Sequence, residues 1–398
     1  MPADPSRRSV LSLGWVSFLT DVSSEMIYPL LPAFLTRALG AGPAAIGLIE
    51  GVAETTASFA KIGSGVWSDR VRRRKPLVVL GYAVAAVARP LVAFARVWTQ
   101  VLAIRFTDRV GKGIRTSPRD ALLADIVPAR KRGRAFGLQR AMDNAGAFVG
   151  PLIAALLLKL ALVDERGVFL LAAIPGIAAV VLLLVAVPDI PRRRATNPAA
   201  TGTKAALPRA FWRVVLVFAF FTLANSTDAF LLLRAQGAGV ATWQLPLFWS
   251  FFQGVKAATG VPGGAVADRA GRVPAITLGW LVYAAAYAGF AFVARPLAAW
   301  GLVALYALFY GLTEGAERAL VADLVPENLR GRAYGIFHAA IGIAALPASV
   351  VFGLLWNRFN PRVAFLTGAV VALLAAGSLW AVAATNRRDG KKGESAAA

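Results

Sequence analysis

The chain has no cysteine, one histidine (His338) and three methionines among its 398 residues. Without thiols there is no disulfide framework and no thiolate metal site. One imidazole and three thioethers also supply a soft-metal pathway poorly, so no metal site is expected. Charge is scarce: 16% of residues are Asp, Glu, Lys or Arg, against roughly 25% in soluble globular domains. No Gly-x-x-x-x-Gly-Lys-Ser/Thr phosphate loop occurs, so a gradient rather than nucleotide hydrolysis has to supply any energy. His338 has no evident Ser or Asp partnership and reads as a packing residue, so no catalytic constellation and no cofactor are expected.

What is present is apolar. Hydrophobic residues make up 58% of the chain and mean hydropathy is +0.62. About twelve runs of some 20 apolar residues stand out, near 11–35, 45–67, 76–95, 99–124, 135–159, 168–187, 211–233, 243–266, 274–294, 298–321, 333–356 and 363–384. Each is long enough as a helix to cross roughly 30 Å of hydrocarbon and too long for a barrel strand. The spacing predicts an all-α integral membrane protein of twelve transmembrane helices. The first run carries Asp21 and Glu25 and lacks a cleavage pattern, so it does not read as a signal peptide.

The net charge of +22 invites a nucleic-acid reading, but its placement argues otherwise. About 25 basic residues fall in one alternating set of loops, from Arg70–Lys75 to the tail, and only about seven in the other. By the positive-inside rule both termini and the long central loop are expected to be cytoplasmic.

Residues 120–138 (DALLADIVPARKRGRAFGL) and 318–336 (RALVADLVPENLRGRAYGI) agree at eleven of nineteen positions, 198 residues apart. A duplicated half in so apolar a chain points to a carrier built from two homologous six-helix bundles around one central site. The expected division is 1–187 for the first bundle, 188–210 for a flexible linker rich in Pro and Arg, 211–384 for the second bundle, and 385–398 for a disordered tail. The expected partners are a small-molecule substrate, protons and the lipid bilayer, and the chain is expected to act as a monomer.

Two loops carry a further repeat: Gly65-x-x-x-Asp69-Arg70 after the second run and Gly264-x-x-x-Asp268-Arg269-x-Gly271-Arg272 after the eighth. Arg109-x-x-Lys112-Gly113 lies in the fourth run and Gly146-x-x-x-Gly150-Pro151 in the fifth. With these motifs the sequence resembles the major facilitator superfamily (MFS) over nearly the whole chain, and TDVSSEMIYPLLP (20–32) is similar to a bacterial subgroup. Departures are Arg72, where the family often has Gly, and Lys112 in place of the usual Gln. The resemblance implies the MFS fold, and the fifth-run motif implies a drug/proton-antiporter-like protein. Physically, an Asp at a helix end accepts hydrogen bonds from a neighbouring helix N-terminus while adjacent bases pair with acids, so Asp69, Arg70, Asp268 and Arg269 are candidates for a conformational latch. Setting topology alone is the other reading of these bases. Gly146, Gly150 and Pro151 are candidates for gating, or for close helix contact alone.

The fourth run places Arg105, Asp108, Arg109, Lys112, Arg115 and Arg119 at three- and four-residue spacing on one face. A charge at the bilayer centre costs about 2.5–3.5 kcal/mol on insertion scales, so this face lines a wet cavity or pairs internally. Acids and bases are nearly balanced across the runs, which favours structural pairing for much of the set; Arg89 and Lys159 read as boundary residues. The tenth run, partner of the fourth, brings Glu314 and Glu317 instead. The substrate-binding candidates are therefore Arg109, Lys112, Arg115, Lys256, Glu314 and Glu317. The proton-coupling candidates are Glu25 first, then Asp228, which aligns with Glu25 in the repeat, then Glu50 and Glu54. The leading expectation is a secondary active transporter performing proton-coupled efflux by alternating access. The alternative is a proton-coupled importer of an organic anion, and a receptor or intramembrane enzyme is a distant third.

Overall fold

In the computed structural model, residues 5–127, 132–189, 206–326 and 329–397 are described. They form twelve helices. Helix α1 runs Pro5–Ile27 and continues through a 3₁₀ turn, Tyr28–Leu30, into Leu31–Arg37. Then come α2 (Pro43–Arg70), α3 (Lys75–Ala88, extended by 3₁₀ turns to Phe94), α4 (Trp98–Ile126), α5 (Arg132–Lys159) and α6 (Glu165–Ala186). The second six are α7 (Arg209–Ala224, then Ala229–Gly237), α8 (Leu245–Ala270), α9 (Arg272–Phe292), α10 (Pro296–Asp323), α11 (Arg330–Arg358) and α12 (Pro361–Ala397). Proline starts α2, α10 and α11's successor α12, positions where its missing N–H costs nothing. Most of the expected 188–210 linker lies outside the described residues. The tail differs from expectation: α12 continues helically to Ala397, because adding residues to a helix already nucleated in the membrane is far easier than starting one.

Eight of the helices hold an 18-residue stretch of mean hydropathy 1.5 to 2.9 with few charges, long and apolar enough to cross a membrane. The four that do not are α1, α2, α4 and α8. Each of these brings charged residues into its apolar run, and Glu25 of α1, Glu50 and Glu54 of α2, Arg109 and Lys112 of α4 and Lys256 of α8 face the interior rather than lipid.

Within the first half, α1 packs on α5 and α6, and α4 lies between α2 and α3. The second half repeats the scheme with α10 between α8 and α9. The halves meet along α2–α11 and α5–α8, two seams related by the internal repeat. The α2–α11 seam is built on glycines. A Cβ on Gly47 would sit 2.2 Å from Ser349 O, on Gly353 2.6 Å from Pro43 O, and on Gly342 2.5 Å from Ser58. Thr55 Oγ1 donates to Gly342 O across it at 2.8 Å. The linker-free end is also tied by Arg37 donating to Thr242 and by Lys159 over the Trp243 ring at 5.4 Å. Toward the end that holds the termini the halves part: Gly63, Gly331 and Gly335 meet nothing within 4 Å.

Leucine at Gly47 would force overpacking at the closed end, at about 1–3 kcal/mol. G47L is therefore expected to lengthen the distance between spin labels placed at Ala38 and Ala241, measured by pulsed electron resonance; an unchanged distance would show that the seam yields instead.

Candidate functional site

Between the halves lies a central cavity of about 590 Å³, walled by α1, α2 and α4 on one side and α7, α8, α10 and α11 on the other. The position of α4 is set by two glycines. A Cβ on Gly111 would meet Gly81 O at 2.8 Å, and one on Gly113 would meet Ala60 at 2.2 Å, so the backbone of α4 sits hard against α3 and α2. Ser64 Oγ of α2 donates to Gly113 O at 2.7 Å. This clamp divides the basic face of α4 into two populations.

The first is neutralised. Arg105 makes a two-pronged contact with Glu50, Nε to Oε1 at 3.0 Å and Nη2 to Oε2 at 2.8 Å. Asp108 Oδ1 accepts from Arg89 Nε at 2.9 Å, and Arg89 also donates to Thr20 O at 2.9 Å. All four side chains are buried. Arg89 is thus a core ion-pair partner rather than a boundary residue, since the turn after α3 folds it inward onto α4. Glu50, offered as a proton carrier, is committed to Arg105. Arg115, offered for substrate, has no ion pair among the described residues but is buried over the Tyr82 ring at 4.6 Å and does not line the cavity.

The second population is uncompensated. Arg109 and Lys112 both face the central cavity, and among the described residues no carboxylate oxygen pairs with either within 4 Å. Arg109 Nε is buried with no hydrogen-bond partner. Glu54 shares this wall, also without an ion pair.

The opposite wall is aromatic, and α7 is broken in it. Between Ala224 and Ala229 the helix unwinds over Asn225, Ser226, Thr227 and Asp228, which line the cavity. Short side chains that bond their own backbone make such a stretch easy to unwind. Asp228 Oδ1 accepts from Tyr306 at 2.6 Å, with Tyr310 3.4 Å from Oδ2; Ser226 and Tyr287 hydroxyls are 3.1 Å apart. Glu25 reaches across the halves, its Oε2 accepting from Trp249 Nε1 at 2.7 Å. Neither Glu25 nor Asp228 has a cation within 4 Å among the described residues; neutral donors hold both. Lys256 sits 4.1 Å from the Tyr310 ring centre and 3.5 Å from Glu314, and Glu317 lines the same cavity.

Two six-helix halves about a polar cavity have close counterparts. The sequence matches the Major Facilitator Superfamily over residues 13–317. An uncharacterised MFS-type transporter of Methanocaldococcus jannaschii is 34% identical over 377 residues, covering 92% of this chain and 93% of its own. The chain belongs to the major facilitator superfamily. Its fold superposes on the crystal structure of a bacterial homologue of the human lysosomal transporter Spinster with a TM-score of 0.78 at 16% identity, over 96% of this chain and 98% of that one. More partial is the likeness to the quinolone resistance protein NorA of Staphylococcus aureus, 23% identical over 216 residues and 54% of each chain. This is a multi-pass membrane transporter of a family that is not enzymatic.

In this MFS protein the two loop motifs close the ends of α2 and α8. The side chain of Asp69 lies outside the described residues, and Arg70 and Arg269 are exposed. The contacts run instead through Arg74 to Asp125 and through Arg272 to both Asp268 and Asp323, the latter at 3.7 Å. Arg74 and Arg272 are 198 residues apart, as are Asp125 and Asp323, so each half fastens its second, third and fourth helices by the same clasp. The acids are those of the Ala-Asp-Ile/Leu-Val-Pro repeat; the equal offsets were the available signal. Gly146 and Gly150 of α5 face α1 within the first half, where a Cβ would meet Phe18 O at 2.4 Å and Val22 O at 2.7 Å; Pro151 follows inside the same helix. They join helices of one half and do not line the interface between halves. His338 packs beside Phe337 with ring centres 5.4 Å apart.

Proposed function

We propose that this protein is a secondary active transporter that exports a small organic solute bearing a carboxylate or phosphate, in exchange for protons. What carries the reading is Arg109 and Lys112, two cations without carboxylate partners on the wall of a cavity of about 590 Å³. These two half-buried cations share their wall with one carboxylate, Glu54, so an anionic solute would supply the charge-assisted hydrogen bonds they lack. The aromatic wall of Phe221, Trp249, Phe309 and Tyr310 suits an apolar body on the same solute. The seam geometry supplies alternating access: closed at one end and parted at the other, with the parted end cytoplasmic by its basic loops. The partial likeness to a quinolone resistance protein favours export.

Glu25 and Asp228 are the proton carriers in this reading. Each lines the cavity, each is held by neutral donors, and each loses hydration when the halves close over it. A thermal-shift screen of matched organic anions and lipophilic cations would identify the solute. Uptake of a selected anion into proteoliposomes is then expected with an acid lumen; uptake driven by an acid exterior would make the protein a symporter and an importer. E25Q is expected to abolish the pH-driven component while leaving solute exchange intact. Undiminished pH-driven flux in that variant would remove Glu25 from the coupling.

A further inference from the structure

A second cavity, of about 290 Å³, lies between α5 of the first half and α8 and α10 of the second, on the side where the termini lie. Lys256, Tyr310 and Glu314 line both this space and the central cavity, so the two are neighbours with a common wall. Its charge is unbalanced. Arg140 Nη2 and Arg318 Nη2 donate to Glu314 Oε1 at 3.0 and 2.8 Å, and Lys256 Nζ is 3.5 Å from Oε2. One carboxylate therefore serves three cations. Arg140 and Arg318 are 57% and 53% exposed, unlike Arg105 at 8%, so their pairs are solvated and weak enough to exchange. Asn144 and Gln253 add neutral polar groups.

The cluster is not a relic of duplication. At the 198-residue offset Glu314 and Arg318 correspond to Thr116 and Asp120 and Arg140 to His338, and at the 199-residue offset that aligns Asp69 with Asp268, Lys256 corresponds to Ala57. These charges exist in one copy only. Among the described residues Arg140–Glu314 is also the one ion pair that joins the two halves.

We propose that this cavity is an entry-side binding site for organic anions. The carboxylate or phosphate of the solute takes the place of Glu314 on Arg140 and Arg318, and Lys256 then passes it to Lys112 and Arg109 in the central cavity. Displacing Glu314 also releases the ion pair between the halves, so occupancy of the vestibule loosens the end that has to move. The inference rests on the reading that the solute is anionic.

The cysteine-free chain allows a direct test with the single variant N144C in proteoliposomes. Relative to a free thiol, the anionic sulfonatoethyl methanethiosulfonate is expected to modify N144C about tenfold faster than the cationic trimethylammonium reagent, as a cationic cleft concentrates anions. Benzoate, as the probe anion, is expected to slow that modification. Both effects are expected to vanish when R140Q and R318Q are added and to return with R140K and R318K, which keeps loss of charge distinct from loss of fold. Equal relative rates for the two reagents, or benzoate protection that survives R140Q/R318Q, would overturn the proposal. Transport by R109A/K112A judges the central site separately: its failure there leaves the N144C rates to decide the vestibule alone.

Discussion

Replacing Arg105 by alanine is expected to destabilise the protein by about 3–5 kcal/mol, the usual effect of stripping one partner from a buried ion pair. Arg105 holds Glu50 with two hydrogen bonds of 3.0 and 2.8 Å, and both side chains are 8% exposed. Its Nη1 also lies 3.8 Å from Asp108 Oδ2, which already depends on Arg89. R105A therefore leaves Glu50 as a largely buried carboxylate between α2 and α4 without its cation. Heat denaturation in detergent, followed by intrinsic fluorescence of the ten tryptophans, would report the loss. The double variant R105L/E50L is expected to recover much of it, because removing both charges also removes the desolvation cost. A melting temperature for R105A equal to wild type would mean that Glu50 finds another cation, and would end the description of this pair as structural.

Arg109→Ala and Lys112→Ala are expected to do the opposite: lose the solute and keep the fold. Hydrogen bonds to charged groups contribute about 1.5–3 kcal/mol each, so either change should weaken binding of an anionic solute by about 10- to 150-fold. Neither side chain pairs with a described carboxylate within 4 Å, and the two are like charges one turn apart on α4. Their removal should leave the melting temperature unchanged or slightly higher. Calorimetric titration with an anion found by the screen, beside heat denaturation of the same samples, reads both quantities. A fall in stability comparable with that of R105A would make Arg109 and Lys112 structural; intact affinity would move the anion site elsewhere.

The contrast between Arg105 and Arg109 shows where sequence reading ends. The two are four residues apart on one helical face and look alike in the sequence. What separates them is tertiary: Glu50 of α2 stands opposite one and open space opposite the other, and only the clamp at Gly111 and Gly113 decides the register. The fold was more legible because length and apolarity are local properties, and each of the twelve runs became a helix. Boundaries shifted outward, as at Pro5 and Ala397, where polar residues extend a helix beyond hydrocarbon. The break in α7 had a cue in the Asn-Ser-Thr-Asp run at 225–228, hidden by the apolar residues on either side. The ring cluster behind the cavity's aromatic wall had one too: Tyr283 with Tyr287 and Tyr306 with Tyr310 are four-residue pairs on α9 and α10, and the two pairs meet only because those helices pack together. Charge pairs made by residues at equal offsets in the two halves, such as Arg74–Asp125 and Arg272–Asp323, were accessible by comparing the repeats position by position.

The glycines of the α2–α11 seam have a mechanical consequence. Gly47 lies against Ser349, Gly51 against Leu346, Gly342 against Ser58 and Gly353 against Pro43, so both helices contribute small residues. Sliding one helix along the other by a turn, about 5.4 Å, would carry side chains into places only a bare backbone fits. Tilting about the line of contact disturbs far fewer of these fits. The halves are therefore free to roll but not to shear.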